Sequence, residues 1–284
     1  MKELKISIVT PNYNYSIYLN DLFESIINQK YENFEHIIVD DGSSDNSVEV
    51  IKKYVEKYPN NVKLITQKNS GQTVAINRGL KEVTGDIIVW INSDDYFCPG
   101  AFKIVANEFS KNELLDIVYG DVNVVDLENN FIYRIRHLNF DFYYGVFFGF
   151  SKVLTSNAVF WRKRVQEEVG LLNSSLKVNM DGEYFSRLVR NRKVIHLNKP
   201  LACFRQQIVS ITGKNDEHWI LKVKNEVNFE KENSIKFLRE EKKINNLKIK
   251  FLKVWVKIKR IFLKVFFFHY QLRFLEKLIY RFKH

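Results

Sequence analysis

Three short acidic stretches hold the side chains best suited to chemistry: "VDDGSSD" (residues 39–45), "INSDDYFCPG" (91–100) and "NMDGEYFSRLVR" (179–190). Asp40–Asp41 and Asp94–Asp95 are pairs of neighbouring carboxylates, and each pair follows an apolar run. Like charges side by side at the end of a buried strand are costly unless a hard cation or hydrogen-bond donors offset them. A Mg2+ or Mn2+ shared with substrate phosphates meets that need. Both pairs also have plainer readings, as a helix entry at Asp40 or Asp41 and as a capped turn in "NSDD". In the third stretch Asp181 and Glu183 are two residues apart, so on a helix they point in different directions. At most one of them faces a site. The other meets solvent or Arg187, which is at i+4 from Glu183.

Other chemistries find little support. No GxGxxG follows the first apolar run and no GxxxxGK[ST] occurs, which weighs against dinucleotide-binding and Walker-type loops. The two cysteines, Cys98 and Cys203, are far apart and form no CxxC pair, which argues against a disulfide framework or a thiolate metal centre and suits a reducing compartment. His137, His196 and His218 share no metal-ligand spacing. The N-terminus carries no secretory leader pattern, and no run of 18 uncharged apolar residues predicts a membrane-spanning helix.

The elements that must position these carboxylates follow from hydrophobic period. "LKISIVT", "EHIIVDDG", "NVKLITQ", "DIIVWI" and "LDIVYGD" read as strands. Between them lie helical segments, the first with Leu19, Leu22, Phe23, Ile26 and Ile27 on one face, the second capped by Asp45 or Ser47 and stopped by Pro59. Alternating β and α with near-continuous apolar strands predicts a parallel sheet covered on both faces. Ligands of such sheets bind at the carboxyl ends of the strands. The polar clusters Thr10–Asn14, Asp40–Asp41 and Asn92–Asp95 fall at those ends. Beyond about residue 121 the pattern becomes shorter strands, an aromatic loop and a helix near 180–191; from about 216 it is helical.

"SIVTPNYN", "VDDGSSDNS", "NSGQTVAINRG", "GDIIVWINSDDYFCPGA", "VYGD", "NAVFWRKRVQEEVGLLNSSL" and "MDGEYFSRL" resemble, in order, the motifs of the family 2 inverting glycosyltransferases. The resemblance covers roughly residues 4–210. It implies an α/β GT-A fold, a Rossmann-like, mostly parallel sheet with flanking helices. It places Thr10 and Tyr13 in the nucleobase pocket, Asp41 as acceptor from the base, and Asn69, Gly71 and Asn77 beside the nucleotide. Asp94 matches the last carboxylate of the DxD motif, which holds Mg2+ or Mn2+ on the diphosphate, with Asp95 a second candidate. Asn92 stands where many members carry Asp, a weaker partner for Mg2+ suited to ribose or water contact. Asp181 matches the general base. Gly182 and Glu183 stand where aromatic and acidic residues are common.

The rest of the chain bears on acceptor and location. "NFDFYYGVFFGF" (139–150) has seven aromatics in twelve positions, either core or an acceptor-side loop; lacking a clean period, it reads as a loop. "FRQQIVSITG" resembles the segment closing the acceptor side in non-processive members, and no QxxRW signature of polymerising relatives is present. The net charge of +11 is concentrated at the end, since residues 235–284 carry fifteen Lys and Arg against three acids and leave the first 234 residues near neutral. Lys250, Lys253, Lys257, Arg260 and Lys264 form a helical stripe beside Trp255, Ile258, Ile261 and Phe262. This predicts an amphipathic helix lying on anionic lipid; no nucleic-acid module is recognisable. The expectation is a glycosyltransferase domain at 1–215 and a separable membrane-associating tail at 216–284. The enzyme would move one sugar from a nucleotide-sugar donor, UDP-linked by preference, to a glycan or lipid-linked acceptor of a surface polysaccharide. It would work in the cytoplasm, peripheral to the inner face of the membrane. The rivals are a nucleotidyltransferase and an inactive sugar- or nucleotide-binding scaffold.

Overall fold

The computed structural model describes residues 3–206 and 217–266, with side chains through residue 262 in the last helix. The strands β1 (Ile6–Asn12), β2 (Phe34–Asp40), β3 (Val62–Thr66) and β4 (Ile87–Trp90) alternate with the helices α1 (Ser16–Ile27), α2 (Ser47–Lys57) and α3 (Gln72–Leu80). The four strands are parallel, in the order β3-β2-β1-β4. Every residue of β1 and β4 is buried, because helices cover both faces; hence the unbroken apolar runs. Strand order reverses at β1, which opens a crevice at the carboxyl ends of β1 and β4.

The chain continues through β5 (Tyr96–Phe97), α4 (Ala101–Lys111), β6 (Ile117–Val125), β7 (Phe131–Ile135), α5 (Phe142–Phe148), β8 (Val159–Arg162), α6 (Lys163–Val169), α7 (Met180–Leu188), β9 (Val194–Arg205), α8 (Glu217–Glu240) and α9 (Asn246–Phe266). The sheet runs β3-β2-β1-β4-β8-β6-β9-β5, with β7 alongside β6. Its first four strands and the β6–β9 pair are parallel, as expected, but β8 inserts antiparallel between β4 and β6, placing Trp161 opposite Ile88 and Phe160 opposite Val118, and β5 and β7 run antiparallel to β9 and β6. A four-residue apolar run reads the same in either direction, so its polarity is set by its connections and not by its pattern.

Two cores flank the sheet. One packs Leu22 and Phe23 of α1, Ile51 of α2 and Phe102 and Phe109 of α4. The other packs α3, α5, α6 and α7, and it includes Phe237 and Leu238 of α8 and Ile249 and Val256 of α9. The core runs on past 215–216: Phe237 and Leu238 of α8 and Ile249 and Val256 on the inner face of α9 pack in the same cluster as α3, α5, α6 and α7. The pattern of the chain hid this because charged residues of both signs run through α8 and basic residues through α9. A second correction concerns 139–150, expected as a loop. It contains α5, started by Asp141 Oδ1 accepting from Tyr144 N at 3.0 Å. Phe142 meets Phe237 and Phe150 while Tyr144 is buried in the core. With both sides covered, the helix shows no amphipathic period. The "FRQQIVSITG" closing segment lies outside the described residues beyond Gln206, as does the tail beyond 266. Cys98 and Cys203, distant in sequence, are free thiols with sulfurs 3.7 Å apart at the pairing of β5 with β9.

Candidate active site

Thr10, fully buried in β1, shares a 3.0 Å hydrogen bond with His36 Nε2, and Tyr13 lies just past the strand, 45% exposed. At the end of β2 the two neighbouring acids face different donors. Asp40 closes its own loop, accepting from Asn12 Nδ2 (2.9 Å), Ser43 N (3.0 Å) and Ser43 Oγ (2.6 Å). Asp41 turns to the loop before α3 and accepts from Gln67 Nε2 (2.7 Å), Ser70 N (2.9 Å) and Gly71 N (2.8 Å). Gly42, next after Asp41, has φ +78°, and a Cβ there would stand 2.9 Å from Asn69 N, so the turn requires glycine. Asn69 and Gly71 are exposed on the same loop.

The pair after β4 divides in a similar way. Asp95 is 2% exposed and accepts from Arg205 N (3.0 Å) and Asn157 Nδ2 (3.2 Å). Burial, and then the charge of Asp94, push its carboxyl well above the usual range. Asp95 thus ties the loop to β9, and Asp94 is the more exposed of the two. Arg205 completes the clamp: its Nε donates to Asp94 O (2.9 Å) and its Nη2 to Asp21 Oδ2 (2.7 Å), with the guanidinium over the Tyr18 ring. Asn92 Oδ1 accepts from Gln72 Nε2 (2.9 Å) and Trp90 Nε1 (3.1 Å), so its one metal-ligating type of atom is occupied. Among the described residues no three His, Cys, Asp or Glu side chains converge as a metal centre. A single carboxylate at a phosphate site nonetheless suits Mg2+ or Mn2+, which take most of their ligands from substrate phosphates and water.

Asp181 sits in the first turn of α7 and accepts from Gly182 N at 2.8 Å. The residue is half-buried. Burial raises its pKa to about 6; the Gly182 N–H opposes this and the charge of Glu230 adds to it. Glu183 is spent on Arg187, Oε1 to Nε at 2.7 Å and Oε2 to Nη2 at 3.0 Å, which leaves Asp181 as the acid of that cluster available for chemistry. Asn77, expected beside the nucleotide, commits both ends of its amide to the backbone of Leu172, at 2.9 Å each.

One turn of helix joins the three acidic segments. At the start of α3, Gly71 N binds Asp41, Gln72 Nε2 binds Asn92, and Thr73 Oγ1 donates to Leu176 O (3.0 Å) beside the Met180 sulfur, one residue before Asp181. Sequence reading missed the two acids of α8 that hold this last segment from behind. Glu226 accepts from the backbone N–H groups of Lys177 (3.1 Å), Val178 (2.8 Å) and Asn179 (2.8 Å), and Glu230 from Phe150 N (2.9 Å) and the Asn179 amide. The available signal was their i, i+4 spacing, continued by Ser234 and Leu238 on one stripe.

The family model for "Glycosyl transferase family 2" matches residues 7–168. The chain belongs to that family. Among curated relatives, the minor teichoic acid biosynthesis protein GgaB of Bacillus subtilis is 42% identical over 39% of this chain and 13% of its own length. The chain spans half or less of the length of the first curated relatives it matches. S. aureus TarS 1–349 in complex with UDP-GlcNAc superposes with a TM-score of 0.64 at 17% identity, covering 93% of this chain and 75% of that one. Mannosyltransferase PcManGT from Pyrobaculum calidifontis, in complex with GDP-Man and Mn2+, superposes with a TM-score of 0.56 at 13% identity, covering 98% and 85%. These likenesses show the GT-A fold expected from the motifs.

Proposed function

We propose that this chain is an inverting glycosyltransferase. It moves one sugar from a nucleotide-sugar donor, UDP-linked by preference, to a hydroxyl of a glycan or lipid-linked acceptor in surface-polysaccharide synthesis. The observation that carries the reading is the meeting of the Asp41, Asn92–Asp95 and Asp181 segments on the first turn of α3. A carboxylate has about four acceptor sites. Asp41, already oriented by three donors, keeps one for the N3–H of uracil, with Tyr13 stacking nearby and Asn69 and Gly71 along the nucleotide. Asp94 would hold Mg2+ or Mn2+, which supplies neutralisation of charge on the departing diphosphate. Asn92 is held by Trp90 and Gln72 for a ribose or water contact.

Inversion needs one in-line displacement at the anomeric carbon. The acceptor oxygen bonds to that carbon as the bond to the diphosphate oxygen breaks, and Asp181 accepts the hydroxyl proton. A base with pKa about 6 is mostly ionised near neutrality and still holds a proton well enough to help as the bond forms. The UDP-GlcNAc-bound TarS structure supports a UDP-sugar donor, PcManGT with Mn2+ supports a divalent ion, and the name of GgaB supports a cell-surface polymer as setting.

The membrane reading rests on α9. Among the described residues no helix is long and apolar enough to cross a membrane. Ile249 and Val256 dock α9 on the body, while Leu247, Phe251, Val254, Ile258 and Ile261 are 55–77% exposed on the outward face. At 100° per residue, Lys250, Lys253, Lys257 and Arg260 border that face on one side and Lys248 and Lys259 on the other. An apolar stripe between cationic borders suits an interfacial helix on anionic lipid, at the cytoplasmic face of the membrane.

The test is UDP release from a panel of UDP-sugars, UDP-GlcNAc first, with Mn2+ and with chelator, followed by NMR of the product anomer. Metal-dependent release with inverted configuration is expected. Donor binding without release would favour the inactive scaffold, and nucleoside monophosphate transfer the nucleotidyltransferase.

A further inference from the structure

We propose that α8 belongs to the catalytic apparatus: Glu230 is a positioning residue for Asp181, and residue 182 is glycine so that Glu230 can reach the start of α7. The inference rests on the reading of Asp181 as base and concerns what holds and tunes it. Glu230 is 2% exposed and bridges two segments, taking Phe150 N at 2.9 Å on one oxygen and Asn179 Nδ2 at 2.5 Å on the other. A Cβ on Gly182 would stand 2.6 Å from Glu230 Oε2 and 2.6 Å from Asn179 Oδ1. No side chain fits next to Asp181 while Glu230 occupies that place, which accounts for the departure from the family pattern at 182. One turn earlier Glu226 gathers three successive N–H groups of the segment leading into α7.

A neutral glutamine could accept from Phe150 N and face Asn179 without the cost of burying a charge. The retained carboxylate therefore has work beyond scaffolding. A negative group beside Asp181 disfavours its ionised form and makes it the stronger base. Among the other charges on elements packed against α7, Lys152 acts on Glu230 itself, where it opposes the upward push of burial. Glu183 pairs with Arg187, and Glu226 holds its three amides. Lys152, in the turn after α5, is exposed, and Lys163, Arg164 and Glu168 of α6 pair with Glu167, Asp116 and Arg192. Burial contributes most to the raised pKa of Asp181, and Glu230 is the charge that adds to it.

The experiment is carboxyl 13C NMR titration of the full chain, with Asp181→Asn assigning the resonance, alongside the pH profile of UDP release from UDP-GlcNAc with water as acceptor. Wild type should titrate near 6. Glu230→Gln should lower the midpoint by roughly one pH unit and move the acid limb of the profile down with it. Gly182→Ala, which forces Glu230 away, should shift the midpoint the same way and serves if Glu230→Gln does not fold. An unchanged midpoint in a folded variant overturns the inference while leaving the base reading intact. Full turnover by Asp181→Asn would overturn the base reading instead, and the NMR midpoint would still judge whether Glu230 acts on Asp181.

Discussion

At the residue scale, adjacent acids do different jobs, and the opening puzzle of paired carboxylates resolves by orientation. Asp40 and Asp41 are both buried, but Asp40 holds the turn at the end of β2 while Asp41 holds the loop before α3; Asp95 is buried against Arg205 and Asn157, and Asp94 is the more exposed of its pair. Asp94→Ala should therefore weaken Mn2+-dependent binding of UDP and lower turnover together, read as loss of the Mn2+-dependent thermal shift with UDP. Asp95→Ala should act on the fold instead. It strands the Asn157 amide and Arg205 N and should cost about 1–3 kcal/mol, measured as a lowered midpoint of denaturant unfolding. The pH profile follows from Asp181. A base is active when ionised, so the rate should fall as pH drops through about 6 and be flat above it until another group titrates. The pairing of acids was legible in sequence, but which donors each acid takes was not. That choice depends on donors brought from far away, such as Arg205 to Asp95.

At the element scale, α3 and α8 organise the site from opposite sides. The α/β alternation, the strand ends and α7 were legible because each is a local hydrophobic period. The polarity of β8, the helical state of α5 and the acids of α8 were not, since each is decided by partners distant in the chain: β4 and β6, Phe237, and the 177–179 backbone. Glu226→Ala leaves three backbone N–H groups without their acceptor and should destabilise the protein by about 1–3 kcal/mol. A melting temperature within error of wild type would remove α8 from the account of how α7 is held.

At the scale of the whole molecule, the basic end of the chain is part enzyme and part surface. Truncation at 235 would remove Phe237 and Leu238 from the core and should lower the melting temperature of what is left. The outer face of α9 is the part to change. Phe251→Glu with Ile258→Glu should leave the fold and UDP release intact yet abolish flotation with anionic liposomes; unchanged flotation would place the membrane contact elsewhere. The chemistry depends on Asp181 as the base of a nucleotide-sugar transfer. The most direct measurement compares Asp181→Asn with wild type for donor binding by calorimetry and for turnover on the same UDP-sugar. Unchanged binding with turnover lowered on the order of 10²–10⁴-fold is the predicted result, and turnover close to wild type would contradict it.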